Sequence, residues 1–253
     1  MAPVEERGAG VDVVHCAGVT GRVRRRAVLD RLDLTLAPGE VAGLTGPGGS
    51  GKTLLLSLLT GLAAPAAGTI TVLGRPVPDP ATAGQVGALV GRPGFGSWRT
   101  GRQHLAAVAA AGPPPAPGAI DEALELTGLT RQAGRRLRHW TGPQRHRLAL
   151  AAALLGRPRL LLLDEPVAGL DPDGAAHLTR VLGRLAADGV PMLLTGRRLG
   201  RLEPLCTRLL TLREGRAVPA ERAGGRLRGR ALETAVVLDP APEGEDAGAA
   251  ARG

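Results

Sequence analysis

The sequence predicts an α/β fold, and three observations carry that expectation. Residues Gly46–Thr53 read Gly-Pro-Gly-Gly-Ser-Gly-Lys-Thr, a phosphate-loop pattern. A short apolar run, Gly39–Thr45, precedes it as a buried strand, and Leu54–Thr60 follows it as a helix that stops at Gly61. Far downstream, Leu160–Leu163 is wholly apolar and closes on Asp164-Glu165. A strand with that ending in a parallel sheet delivers both carboxylates to the carboxyl edge, where ligands bind.

The loop chemistry follows from its residue types. Gly46, Pro47, Gly48, Gly49, Ser50 and Gly51 let successive backbone N–H groups turn inward around a polyphosphate, at the positive end of a helix dipole. Lys52 is placed to bridge the outer phosphates, and the Thr53 hydroxyl to hold Mg²⁺. Lys52 is also the single lysine of a chain whose other basic residues are all Arg. A compact ammonium stands where a planar fork would not serve.

The length of 253 residues suits one α/β domain with a subdomain. Apolar content comes from Leu, Ala and Val, with one Phe, two Trp and no Tyr, so the core is aliphatic. The net charge of +9 is spread over scattered arginines. Without aromatic platforms or a dense basic arm, nucleic acid is not an expected partner. Cys16 and Cys206 lack metal-ligand spacing and are expected as buried thiols. Met1–Glu6 carries no signal pattern, and the apolar run Leu148–Leu155 is far short of the ~20 residues that cross a bilayer. A cytoplasmic chain is expected.

Taken in order, residues 1–10 are expected to fray. Val11–Val14 and Leu32–Leu36 read as strands joined through an Arg-rich turn at Arg22–Arg26. Thr69–Leu73 and Gln85–Val90 read as further strands. A glycine-rich loop follows at Arg92–Trp98, and Thr100–Gln103 resembles a capping box opening a helix through Ala111. Helices are expected at Asp121–Thr127, Arg131–Arg138 and Thr141–Leu155, so an inserted helical subdomain spans roughly residues 92–155. After Leu160–Leu163 come a helix at Gly174–Ala187, a strand at Met192–Thr195 and a hairpin, Leu209–Leu212 with Arg216–Val218, around Glu214-Gly215. Leu232–Leu238 reads as a last strand or helix, and 239–253 as a disordered tail.

Asp164 is suited to orient Mg²⁺ and Glu165 to polarise an attacking water. With them, the run Asp164-Glu-Pro-Val-Ala-Gly-Leu-Asp-Pro172 closely resembles the Walker B and D-loop segment of ATP-binding cassette (ABC) ATPases. Val86–Leu89, Thr100–Leu105 and Leu148–Pro158 resemble the multidrug and antibiotic-resistance exporter branch. The resemblance covers residues 11–238. It implies a P-loop NTPase cassette with a mixed core sheet, an inserted helical subdomain and an N-terminal antiparallel β region. It implies Mg-ATP as ligand and ATP hydrolysis as activity. A second ATP-binding subunit, the same or a different chain, would complete the site, and a transmembrane permease would hold the cassette at the inner face of the membrane. The signature motif aligns with Trp140–Gln144, so Thr141, Gly142 and Gln144 would face the partner's nucleotide.

The same resemblance exposes departures. Pro143 stands where the signature has a second glycine, and it has no N–H. Gly91 stands at the Q-loop glutamine, Arg197 at the switch histidine, and Val23 near the aromatic that stacks on adenine. None of the five histidines falls in Thr195–Leu199. The resulting expectation is a subunit that binds Mg-ATP and hydrolyses it slowly by itself, with a binding-only regulatory cassette as the alternative.

Overall fold

A computed structural model describes residues 12–220 apart from positions 83, 92, 93 and 113. The expected frayed start, the strand start at Val11, the last element at Leu232–Leu238 and the tail at 239–253 lie outside the described residues.

The chain opens with β1 (Val14–Val23) and β2 (Arg26–Leu36), an antiparallel pair turning at Arg24-Arg25. The Arg-rich turn is therefore narrower than expected, because Arg22 and Arg26 are already paired within strands. β3 (Val41–Thr45) leads through the phosphate loop into α1 (Lys52–Leu59). β4 (Ala67–Val72) and the short β5 (Arg75–Pro76) complete a sheet of order β2-β1-β4-β5.

The second sheet is laid down across the rest of the chain. It takes β6 (Val86–Leu89), β7 (Leu160–Asp164), β8 (Met192–Gly196), β9 (Arg208–Arg213) and β10 (Arg216–Pro219). With β3 they run in the order β10-β9-β3-β8-β7-β6. Every pairing is parallel except β9 with β10, so the core sheet is mixed. Glu214 and Gly215, at φ of 48° and 82°, make the tight turn of that closing hairpin.

The apolar strand pattern has a direct structural reading. Leu160 and Leu162 enter a core shared with the first sheet and α1, whereas Leu161 and Leu163 enter one shared with α5 (Pro172–Ala187). A strand buried on both faces needs no polar alternation. Against the outer edge packs α4 (Gly142–Leu154), and the approach is so close that a Cβ on Gly87 of β6 would lie 1.9 Å from the Ala153 carbonyl oxygen.

Between β6 and β7 lie α2 (Gly101–Ala110), α3 (Ala119–Leu126) and α4, gathered on an apolar cluster around Leu105, Leu124, Leu137 and Trp140. Thr100 caps α2 with both arms of a capping box, as its Thr-x-x-Gln pattern predicts. The expected helix at Arg131–Arg138 is not one element. It is two single turns of 3₁₀ helix, Thr130–Gln132 and Leu137–His139, with Ala133 and Leu137 as its buried anchors. Arginines on most of the remaining positions leave too narrow an apolar stripe to hold a continuous helix against the cluster.

Candidate nucleotide-binding site

The site lies at the carboxyl edge of the parallel strands. Three neighbouring strands, β3, β8 and β7, end in register there: Thr45 pairs with Gly196 and Asp164 with Thr195. The loop after β3, the carboxylates after β7 and the turn after β8 are thereby brought together.

The loop is shaped by its glycines. Gly46, Gly49 and Gly51 hold φ of 151°, 78° and 110°, a backbone that L side chains rarely adopt. Lys52 is buried and folds back along the loop. Its Nζ donates to the carbonyls of Gly46 at 2.7 Å and Pro47 at 2.9 Å, and to Ser50 Oγ at 3.4 Å. Burial lowers its pKa, Glu165 and Asp164 pull it back up, and Arg197 adds to the lowering. All four charged groups therefore share one electrostatic environment.

Asp164 is buried at the end of β7 and is fully engaged. Its Oδ2 accepts from Thr53 Oγ1 at 2.6 Å and from the Gly91 backbone N–H at 3.3 Å, and its Oδ1 accepts from Thr195 Oγ1 at 2.6 Å. The hydroxyl and carboxylate oxygens of Thr53 and Asp164 form a hard-donor pair, which suits Mg²⁺. Glu165 follows in the left-handed region, at φ 47°, with its N–H donating to the Thr195 carbonyl at 3.1 Å. A non-glycine residue held there carries backbone strain of ~1 kcal/mol or more. The reversal turns the chain away from the strand directly after Asp164.

A cleft of about 770 Å³ joins Thr53, Gly91, Asp164 and Glu165 to Gly142 and Pro143 at the start of α4. The remaining signature residues do not line it. Thr141 and Gln144 instead close a capping box on α4: Thr141 Oγ1 accepts from the Gln144 N–H at 3.4 Å, and Gln144 Oε1 accepts from the Thr141 N–H at 3.0 Å. Pro143 sits in the first turn, where its missing N–H costs the helix nothing.

Sequence reasoning missed three participants. Thr195 is one, and its signal is a lone hydroxyl at the end of the apolar run Met192–Leu194. The Gly91 backbone is another, since the glycine loses a side chain yet keeps an N–H on Asp164. The third is His146, whose Nε2 donates to the Pro166 carbonyl at 2.8 Å and ties α4 to the segment after Glu165. Nearby, Asp171 caps α5 through the Gly174 N–H at 2.7 Å while Arg147 reaches its Oδ1 at 3.4 Å.

Among the described residues no helix is long and apolar enough to cross a membrane.

Comparison with known proteins agrees with this geometry. Residues 29–168 match the family described as ABC transporter. An ABC transporter ATP-binding protein of Bacillus subtilis, YdbJ, is 32% identical over 206 residues, covering 80% of this chain and 67% of that protein. A Nod factor export ATP-binding protein I of Rhizobium meliloti is 35% identical over 226 residues, covering 83% and 64%. The chain thus spans about two thirds of the length of these relatives. Among solved structures, an ATP-binding subunit of an ABC transporter superposes with a TM-score of 0.73 at 24% identity, covering 81% of this chain and 88% of that one. A dimeric ATP-binding cassette in a post-hydrolysis state, bound to ADP and Pi, gives 0.75 at 21% identity, covering 84% and 100%. Those two likenesses show the fold, and the family match with the closer sequence relatives shows the kinship: the chain belongs to the ABC transporter family, as one of its ATP-binding cassettes.

Proposed function

We propose that this cassette binds Mg-ATP and hydrolyses it to drive a separate membrane permease, as the ATP-binding subunit of an exporter. The observation that carries the reading is the knot at Asp164. One buried carboxylate takes the hydroxyls of Thr53, on the phosphate loop, and Thr195, on the neighbouring strand. Nucleotide contact at the loop is thereby transmitted to the strand ends.

In this reading the loop N–H groups from Gly46 to Gly51 hold the inner phosphates and Lys52 exchanges its carbonyl partners for phosphate oxygens. Thr53 and Asp164 would hold Mg²⁺, which supplies charge neutralisation on the phosphates. Glu165 orients and deprotonates the attacking water. Thr141, Gly142 and Gln144 of a second ATP-binding subunit face the nucleotide from the other side. Export is supported by relatives named for Nod factor export. The test is ATP hydrolysis by the cassette reassembled with its permease in vesicles. The reading expects Mg²⁺-dependent turnover that the permease raises; turnover that Glu165→Gln leaves unchanged would refute the assignment of Glu165.

A second reading, a cassette that binds ATP with little turnover, is favoured by one observation. Gly91 offers Asp164 only its backbone N–H, so no side chain there links the site to a permease. Tight, Lys52-dependent ATP binding without hydrolysis in the assembled complex would select this reading.

A further inference from the structure

His146 stands on the face of α4 that borders the cleft of about 770 Å³, where Gly142, Asp164 and Glu165 also line the wall. It follows Gly142 by one helical turn, so both residues share that face. The half-buried ring reaches from α4 to another part of the chain: Nε2 lies 2.8 Å from the Pro166 carbonyl oxygen. A carbonyl only accepts, so Nε2 carries the proton. Pro166 is buried and lacks an N–H, which leaves its carbonyl as its one backbone polar group.

Among the described residues, the imidazole makes the sole side-chain hydrogen bond to the backbone of residues 165–170. Other ties of that stretch are backbone bonds. The Glu165 N–H donates to the Thr195 carbonyl at 3.1 Å, and the Ala168 N–H donates to the Glu165 carbonyl at 2.8 Å. Glu165 is therefore anchored on one side to β8 and, one residue later, to α4. The first anchor is part of the sheet and is fixed with it. The second is a single contact to a helix that enters from the segment between β6 and β7. A backbone at φ 47° keeps its conformation only while the surrounding structure holds it. A general base must also sit at a set distance from the water it deprotonates, so a small displacement lowers rate without lowering affinity.

Resting on the Mg-ATP reading above, we infer that His146 is a positioning residue. Its Nε2–H on the Pro166 carbonyl fixes the segment that carries Glu165, so hydrolysis depends on how α4 is seated. The imidazole acts through the backbone and does not touch the nucleotide.

The test pairs steady-state hydrolysis by the cassette reassembled with its permease with calorimetric binding of Mg-ATP to the full-length chain. His146→Gln places an amide Nε2 as many bonds from Cβ as the imidazole Nε2. His146→Asn carries the same amide one bond short, and His146→Leu has no donor. The value of kcat should fall about 10-fold in His146→Asn and His146→Leu and recover to within about 2-fold in His146→Gln. The ATP dissociation constant should stay within about 2-fold of wild type in all three. Asn and Gln both keep a polar amide at this position, so their difference reads the reach of the donor and not the loss of a ring. Hydrolysis that depends on Glu165 yet is equal in His146→Gln and His146→Asn would overturn this inference alone, as would affinity that falls in step with kcat. A wild-type complex without ATP turnover, or one indifferent to Glu165→Gln, would overturn the hydrolysis reading and this inference together.

Discussion

Thr53 and Asp164 are 111 residues apart in sequence and joined by a 2.6 Å hydrogen bond from Thr53 Oγ1 to Asp164 Oδ2. The bond couples the first turn of α1 to the end of β7, and Thr195 holds the other carboxylate oxygen at 2.6 Å. The two hydroxyls make separable contributions. Thr195→Val removes what is, among the described residues, the sole side-chain donor to that buried oxygen, and an unsatisfied buried acceptor costs ~1–3 kcal/mol. Urea denaturation should show that loss at neutral pH. Thr53 is exposed, so Thr53→Ala should cost less stability, while weakening Mg²⁺-dependent ATP affinity by about 10-fold in calorimetry. Equal effects of the two variants on both quantities would refute the separation.

Glu165 is expected to act on the reaction without contributing to nucleotide affinity. Its backbone is fixed by the left-handed turn and by the bond to the Thr195 carbonyl, so Glu165→Gln keeps the geometry and removes the basic oxygen. Turnover should fall by ~10²–10⁴, the range for loss of a general base. The ATP dissociation constant should stay within a few-fold of wild type, and single-turnover hydrolysis measured beside equilibrium binding distinguishes the two effects.

Much of this site was legible because its signals are local. The phosphate loop, the apolar β7 with its terminal carboxylates and the capped start of α4 each lie in a short continuous segment whose residue types fix the backbone. The strand expected at Val11–Val14 meets β1 (Val14–Val23) only at Val14, for a physical reason. Its pairing with β2 shifts register between Cys16 and Val19, between Val19 and Gly21, and again between Gly21 and Arg22. Each irregularity breaks the two-residue alternation that announces a strand. The hold of Thr195 on Asp164 is a contact between separate strand ends, and it follows from sheet order, which local residue patterns do not specify.

On the proposed reading, Pro143 would limit the signature and not the fold. It occupies the first turn of α4, where the Thr141–Gln144 capping box already satisfies the helix end. Pro143→Gly restores an N–H in the first turn of α4, the end that the proposed reading turns toward a second subunit's nucleotide. One recovered donor to a transition-state oxygen is worth up to ~10²–10³ in rate. Turnover of the assembled transporter should therefore rise, even though glycine lowers helix stability by ~0.5–1 kcal/mol. Steady-state hydrolysis by the reconstituted complex checks this; an unchanged or lower rate would show that a donor at position 143 does not limit turnover.

Cys16 makes stability fall at high pH. Its thiol is buried on β1, and burial, reinforced by the negative charge of Asp33, pushes its pKa from 9.0 up to about 12. The folded chain therefore keeps the thiol neutral where the unfolded chain releases the proton. Below pH 9.0 both states hold it and this contribution is intact; between 9.0 and about 12 the unfolded state is increasingly favoured by ionisation. The urea midpoint should decline over that window, and Cys16→Ala should flatten the decline while lowering stability at neutral pH through the lost packing. Because the thiolate is the reactive form, native Cys16 should also resist alkylation at pH 8 and react once urea unfolds the chain, which mass spectrometry of the labelled protein would read directly.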